Sequence, residues 1–160
     1  MQQFDPNVPP YIEGEITTLQ VIDPALNFPP LDRGNHVLDP LQAFTVKVEW
    51  TIKGAFAPIW LAALGGNWNV QLHAESLGAG PELLLVEDNT VVASGGVLNY
   101  AVDLTVPPGT LPEGNPGGPD SGIYKLVVSV FLNSNLVFGS HGYDMIGFYE
   151  GPIIQVEDAR

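Results

Sequence analysis

The residues of this chain that could do enzyme chemistry are few, and their spacing assembles no known catalytic constellation. Ser140 and His141 are adjacent and Asp144 follows closely, which is the residue set of a hydrolytic triad. No Gly-x-Ser-x-Gly motif surrounds the serine, however, and no strand-to-helix turn is predicted around it. A polar loop is the better interpretation, so we expect no catalytic residue here and no enzyme.

The residues that could bind a transition metal are equally sparse. His36, His73 and His141 share no short ligand spacing. The chain has no cysteine, which rules out a thiolate metal site and a disulfide framework. The sequence therefore predicts neither a resident metal nor a cofactor.

Carboxylates in turns offer a second type of metal site, because calcium prefers oxygen ligands. The chain contains no Asp-x-Asp-x-Asp run, so solvated turn carboxylates are the main interpretation and calcium binding is the alternative. The candidate calcium ligands are Asp32, Asp39, Glu87, Asp88, Asp120 and Asp144.

Aromatic side chains could instead form a platform for a sugar or another small ligand. The candidates for such a platform are Trp60, Trp68, Tyr100, Tyr143, Phe148 and Tyr149. Aromatic residues in a β-sandwich more often fill the core. Trp68 alternates in phase with Val70 and Leu72, which favours a core position for it.

The charge of the chain limits its partners. Eighteen acidic residues face five basic ones, which gives a formal net charge of −13. Such a surface repels phosphate backbones and anionic membranes, so we expect no nucleic acid and no membrane insertion. The acidity serves solubility or attracts a basic partner.

Sequence features also indicate the cellular compartment of the protein. No apolar run reaches the length of a membrane span, and residues 1–10 show no signal-peptide pattern. The absence of cysteine favours a reducing compartment. We therefore expect a cytoplasmic protein, and export without a cleavable signal stays open.

Most of the chain alternates between apolar and polar residues, which is the pattern of half-buried strands. The clearest case is Phe44–Lys53, and Gly and Pro recur too often for long helices. The predicted strands are 12–22, 43–53, 68–77, 83–92, 97–106, 123–132 and 145–156. Seven short strands predict a single all-β antiparallel sandwich over residues 11–160, preceded by an extended arm at 1–10.

Three strands carry additional expectations. Imperfect alternation in 12–22, and Gly151-Pro152 within 145–156, predict a bulge in the first strand and a bulge or sheet switch in the last. Residues 123–132 are apolar on both faces, so this strand is central or covered. The strand at 83–92 could join either sheet.

Residues 105–112 followed by Gly122-Ile123-Tyr124 resemble the region between strands E and F of immunoglobulin-like modules. The resemblance implies an immunoglobulin-like sandwich in which the Tyr124 hydroxyl bonds to upstream backbone. It also implies a core tryptophan, either Trp50 or Trp68. The chain departs from antibody domains because it lacks the cysteine pair and has a longer loop at 111–122.

Residues 55–64 are the most unusual segment, because they link two predicted strands and are almost wholly apolar. Connections are normally polar, so the segment either caps one end of the sandwich or forms an interface, and the two roles are compatible. The predicted partner-binding residues are Phe56, Ile59, Trp60, Leu61 and Leu64.

The sequence therefore predicts a non-catalytic interaction or structural subunit of a larger homo- or hetero-oligomeric assembly. It would bind a protein partner, or a copy of itself, through the apolar loop and the extended arms. The alternative is a carbohydrate- or small-ligand-binding sandwich module.

Overall fold

The structure, a computed structural model, describes residues 2–22, 37–115, 117–118, 120–135 and 144–157. Within these ranges the chain forms strands β1 (Gln2–Asp5), β2 (Glu13–Ile22), β3 (Val37–Leu38), β4 (Phe44–Lys53), β5 (Asn67–Ser76), β6 (Leu83–Val92), β7 (Asn99–Val106), β8 (Ile123–Asn133) and β9 (Ile146–Val156), with one helix, α1 (Ala57–Leu64). The predicted all-β sandwich is confirmed. The seven predicted strands are β2 and β4 to β9, while β1 and β3 are additional.

The strands form two sheets that face each other. The larger sheet has the order β1-β9-β8-β5-β6, and the smaller has the order β2-β4-β7. All neighbours are antiparallel except β3, whose two residues pair in parallel with β9. Strand β6, which the sequence could not assign to a sheet, pairs with β5 in the larger one.

Alternation along the strands builds the core between the sheets. In β4 the inward side chains of Val46, Val48 and Trp50 are buried, and the polar residues between them are partly exposed. Strand β8 is central, lying between β5 and β9, as its apolar character on both faces predicts. Each inward residue buried in this way stabilises the fold by about 1.5–3 kcal/mol.

Both predicted irregularities are β-bulges. The pairing of β2 with β4 shifts register between Ile16 and Thr18. The pairing of β8 with β9 shifts between Lys125 and Val127, opposite the Gly151-Pro152 step. A proline in a strand lacks the N–H that the ladder needs, so an extra unpaired residue at this step accommodates it.

Three aromatic side chains join the two sheets near one end of the sandwich. Trp50 stacks on its cross-strand partner Tyr100 in the smaller sheet, with ring centroids 5.5 Å apart. Trp68, from the larger sheet, meets Trp50 edge-on at 5.8 Å and Tyr100 at 5.4 Å. The Tyr100 hydroxyl donates to the carbonyl of Val97 at 2.5 Å, which satisfies its polar end. Both candidate core tryptophans therefore lie in the core.

A tyrosine hydrogen bond closes the opposite end. Tyr124 is fully buried, and its hydroxyl donates to the backbone carbonyl of Pro112 at 2.8 Å. Burial, together with the nearby Asp120 carboxylate, raises the pKa of Tyr124, so the phenol stays protonated and remains a donor. The bond expected of Tyr124 is confirmed, and it anchors the long connection at 111–122 to β8.

Strand β1 pairs with the larger sheet of its own chain. Residues 2–5, part of the segment predicted as an extended arm, are extended and pair with β9. The ring of Phe4 occupies the space above Gly147, where any Cβ would collide with it. Most of the second predicted arm, around 26–40, lies outside the described residues.

Removing the Tyr124 hydroxyl tests the anchoring role of its bond. We expect Tyr124→Phe to lower the free energy of unfolding by about 1 kcal/mol, because the Pro112 carbonyl loses its donor while the ring still packs. Urea unfolding followed by tryptophan fluorescence measures this. Tyr11→Phe, at a half-exposed ring, is the matched control, and an equal loss in both variants would argue against a specific role for Tyr124.

Candidate interaction surface

Helix α1 covers the end of the sandwich that holds the aromatic cluster. Ala57, Leu61 and Leu64 recur at helical spacing, and all three are buried against the core. The helix ends where the N–H of Gly65 donates to the carbonyl of Leu61 at 2.9 Å. The next residue, Gly66, has φ of 84°, and a Cβ there would collide with the backbone of Asn133. The inward stripe of α1 therefore caps the core.

The outward side of the same segment is apolar and exposed. Ile59 is 71% exposed and Phe56 is 52% exposed. Tyr11, from the loop before β2, stacks on Phe56 with ring centroids 5.2 Å apart and an interplanar angle of 15°. The Phe56 N–H donates to the Tyr11 carbonyl at 2.9 Å, which fixes the two rings side by side. The pair forms a rigid aromatic surface.

Backbone contacts make this surface continuous across the end of the sandwich. Gly95 lies against the carbonyl of Pro58 and the methyl group of Ala62, so the turn at 93–97 abuts α1. The Asn135 N–H donates to the Leu64 carbonyl at 2.9 Å on the other side. We call the surface formed by residues 8–12, 56–66, 92–97 and 133–135 the helical end. Its exposed large apolar residues are Val8, Tyr11, Phe56, Ile59, Val92 and Val97.

The residues that form the helical end are uncharged, but two carboxylates border it. Asp5 pairs with Ile146 at the start of β9, and Asp144 precedes Met145, whose carbonyl accepts the N–H of Leu132 beside residues 133–135. Residues 6–12, 54–74, 89–102 and 126–143 contain no Asp, Glu, Lys or Arg. Helix α1 also lacks an acid in its first turn and a base in its last turn, although both would stabilise it through the helix dipole. In a chain of net charge −13, an apolar surface built from uncharged residues is unusual.

The opposite end of the sandwich is acidic. Glu113, Asp120 and Glu157 line an open pocket of about 310 Å³ there. Asp39 lies close by, because the Glu157 N–H donates to the carbonyl of the neighbouring Leu38 at 3.0 Å. We call this region the acidic end. The centre of the helical end, on α1, therefore lacks charge, whereas carboxylates line the pocket at the acidic end.

The described lysines sit along the strands, and each is paired with a carboxylate. Lys47 lies 3.0 Å from Glu49, Lys53 pairs with Glu15, and Lys125 lies 3.1 Å from Glu75. Lys125 also contacts Glu150 at 3.3 Å. The hydrogen bond and the charge of Lys125 lower the pKa of Glu150. The hydrogen bonds that Lys125 donates to Glu75 and to Glu150 raise the pKa of Lys125. The pairs of Lys53 and Lys125 join neighbouring strands, whereas Lys47 and Glu49 lie on the same strand, β4.

Replacing Lys125 with methionine should make stability depend less on pH. The lowered pKa of Glu150 stabilises the fold above its unfolded-state pKa, and this contribution disappears as pH falls through the folded value. The difference in unfolding free energy between wild type and Lys125→Met should thus be largest at neutral pH and shrink on acidification. Urea titrations between neutral and acidic pH measure it. A difference that does not change with pH would mean that Lys125 acts through packing alone.

The predicted partner-binding residues fall into three groups by burial. Phe56 and Ile59 face outward, whereas Leu61 and Leu64 are buried in this chain's own core and offer no surface to a partner. Trp60 is half-buried against the core, and its indole Nε1 is buried without a hydrogen-bond partner in the described part of the chain. Burial of Leu61 and Leu64 follows from the helical phase of α1.

Other residues of the helical end were not among the predicted partner-binding residues. Val8 lies in the segment predicted as an extended arm, and Tyr11 is the first residue after that segment. Val97 is the first residue of a predicted strand. Tyr11 reaches Phe56 only because the chain reverses at 8–12, where the N–H groups of Tyr11 and Ile12 both donate to the Val8 carbonyl. The dipeptide Pro9-Pro10 was the sequence signal for that turn.

The calcium candidates are spread over the molecule. Asp39 accepts the N–H of Leu41 at 2.8 Å, and Asp88 accepts both the N–H and the hydroxyl of Thr90 at 2.9 Å. On the strand surface, the Glu87 carboxylate accepts a hydrogen bond from the Gln71 side-chain amide at 2.6 Å. Asp32 lies outside the described residues. No group of three or more metal-ligating side chains gathers in the described ranges.

The residues considered for sugar binding and for catalysis do not converge on one site either. Trp68 and Tyr100 are buried in the core, and Phe148 lies on β9 with 36% of its side chain exposed. His73 lies on β5, with Nε2 at 3.2 Å from the Gln71 side-chain oxygen. The candidates at 36, 140, 141 and 143 lie outside the described residues.

No family model matches the chain, and no curated protein matches its sequence. None of the helical structure in the described ranges combines the length and the hydrophobicity that a membrane span needs.

Proposed function

We propose that this chain is a non-catalytic interaction or structural subunit of a larger assembly, and that it binds its protein partner through the helical end. The observation that carries the proposal is the continuous apolar surface centred on Phe56 and Ile59. Exposed apolar patches of this kind, rimmed by polar residues, mark protein interaction sites. Glu13, Glu15 and Lys53 supply the polar rim where β2 and β4 reach this end.

Energetics support docking at this end. Full burial of a side chain such as Ile59 or Phe56 contributes about 1.5–3 kcal/mol, because apolar surface leaves water. The centre of the surface, on α1, holds no charged residue, so burying it requires no desolvation of an ion. The Tyr11–Phe56 stack is already fixed by the backbone bond between these residues, which reduces the entropy lost on binding.

We also propose that the sandwich is of the immunoglobulin-like type. The three-stranded sheet β2-β4-β7 faces a sheet containing β9-β8-β5-β6, which is a Greek-key arrangement. The bond from Tyr124 to Pro112 corresponds to the tyrosine corner of such domains. Folds of this type commonly serve binding and scaffolding, although the fold alone does not assign a function. The absence of cysteine supports a cytoplasmic location.

Site-specific photo-crosslinking tests the proposed surface. A benzoylphenylalanine at position 59 should yield a defined protein adduct in the cells that produce the chain, because this position lies at the centre of the docking surface. The same probe at Leu41, which is 72% exposed and near the acidic end, is the matched control and should yield none. Mass spectrometry identifies the adduct.

A second substitution shows whether the adduct depends on the apolar surface. Phe56→Asp should reduce the adduct at position 59 at least about fivefold, because docking would then bury an unpaired carboxylate. Leu41→Asp adds the same charge at a similarly exposed residue and should leave the adduct unchanged. Circular dichroism confirms that both variants fold. Equal adducts at 59 and 41, or none at either, would contradict the proposal.

A further inference from the structure

We propose that strand β1 occupies an exchangeable site, from which β1 leaves as a unit and to which an extended segment of a partner protein binds in its place. The incoming segment adds a strand to β9 and inserts one aromatic side chain between the two sheets. The site does not use the outer face of α1, so it is a second binding site, beyond the one proposed above.

The site is built around the buried ring of Phe4, which lies between the two sheets. One edge of the ring, at Cδ1 and Cε1, faces Gly14 of β2 in the smaller sheet. The other edge, at Cδ2 and Cε2, faces Gly147 of β9 in the larger sheet. A Cβ at either glycine would collide with the ring. We call the space between these two glycines the aromatic slot.

Packing of the ring, and not backbone conformation, accounts for the two glycines. Neither Gly14 nor Gly147 has a positive φ, so the backbone at these positions does not require glycine. Glycine in the interior of a strand weakens it, because it has no side chain to pack and loses more entropy on folding. Two such positions, one in each sheet, make room for a single aromatic side chain.

The walls of the aromatic slot are held without β1. Gly14 pairs with buried Ile52 in the ladder between β2 and β4. Gly147 pairs with buried Val130 in the ladder between β9 and β8. Neither ladder includes β1, so the slot keeps its shape when β1 leaves.

Strand β1 itself is attached by few interactions. Its four residues, Gln-Gln-Phe-Asp, include one apolar side chain. Ordering four residues costs backbone entropy, and this cost opposes the gain from burying one phenyl ring and forming a short ladder. Release of β1 is therefore a local opening and does not require the sandwich to unfold.

The turn that follows β1 is fixed separately, which limits the opening. The N–H groups of Tyr11 and Ile12 both donate to the carbonyl of Val8, and the N–H of Phe56 donates to the carbonyl of Tyr11. These bonds hold residues 8–12 on the body of the sandwich. The moving segment thus ends at Asn7.

The vacated site determines the chemistry of its occupant. Residues 146–149 of β9 expose the N–H and carbonyl groups that β1 covers, and an extended segment adds there in the same antiparallel direction. Its aromatic residue takes the register opposite Gly147, where the slot lies. Glu13 and Glu15 lie beside the slot on β2, and the chain has a net charge of −13. An uncharged or basic segment is therefore favoured over an acidic one.

A fluorescent peptide with the sequence of residues 1–7 is the probe, and fluorescence anisotropy measures its binding to the full chain. Phe4→Ala should raise the affinity at least about tenfold over wild type, because more molecules then have a vacant slot. Phe4→Ala combined with Gly147→Val should not bind, because the valine side chain fills the slot. Phe148→Ala, at the exposed neighbouring position of β9, is the matched control and should bind like wild type.

Two changes to the peptide test the chemistry of the occupant. Alanine in place of the peptide phenylalanine should abolish binding to the Phe4→Ala chain, because nothing then enters the slot. Lysine in place of the peptide aspartate should strengthen binding, because the chain is acidic.

Each contrary outcome overturns the proposal in a distinguishable way. Loss of folding in Phe4→Ala, measured by circular dichroism, would show that β1 is an obligatory strand that does not leave. A folded Phe4→Ala chain that does not bind the peptide, or binding that persists with Gly147→Val, would exclude the slot as a binding site. A wild-type dimer that Phe4→Ala dissociates would assign the slot to β1 of a second copy. The crosslink from position 59 tests the helical end independently of all these outcomes.

Discussion

The contact of Trp50, Trp68 and Tyr100 across the two sheets is the constraint on which the rest of the structure depends. A chain without cysteine must hold its sheets together by packing alone, and these three rings do so at one end of the core. Aromatic pairs of this geometry add about 0.5–1.5 kcal/mol beyond the area that they bury. At the other end, the hydrogen bond from Tyr124 to Pro112 anchors the long connection between β7 and β8.

The same cluster determines what the helical end can present. Because Trp50 and Trp68 end the core beneath α1, the helix must cover them, and its stripe of Ala57, Leu61 and Leu64 does so. In most surface helices the opposite face would then be polar. Here it is apolar, and the stacked Tyr11 extends it beyond the helix. Segment 55–64 thus acts as a cap through one face and leaves the other available, so the two roles expected of it are compatible in one helix.

Alternating patterns made the strands predictable, and other features required three-dimensional contacts. Strand β4 could be recognised because its inward and outward residues differ in polarity, and Tyr124 because a short Gly-x-Tyr motif carries its role. Strands β1 and β3 were not predicted, because their four and two residues are too few to show an alternating pattern. In 55–64, nearly every residue is apolar, so the pattern shows no helical phase and does not distinguish buried Leu61 from exposed Ile59. Tyr11 joins the surface only through a turn that no periodicity reveals.

Crosslinking from a benzoylphenylalanine at position 59, compared with the same probe at Leu41, tests most directly whether the helical end is a docking surface. We predict a defined protein adduct from position 59 and none from Leu41, because the two positions are equally exposed and only the first lies on the apolar outer face of α1. No adduct from position 59, or an equal yield from both positions, would contradict docking through this surface.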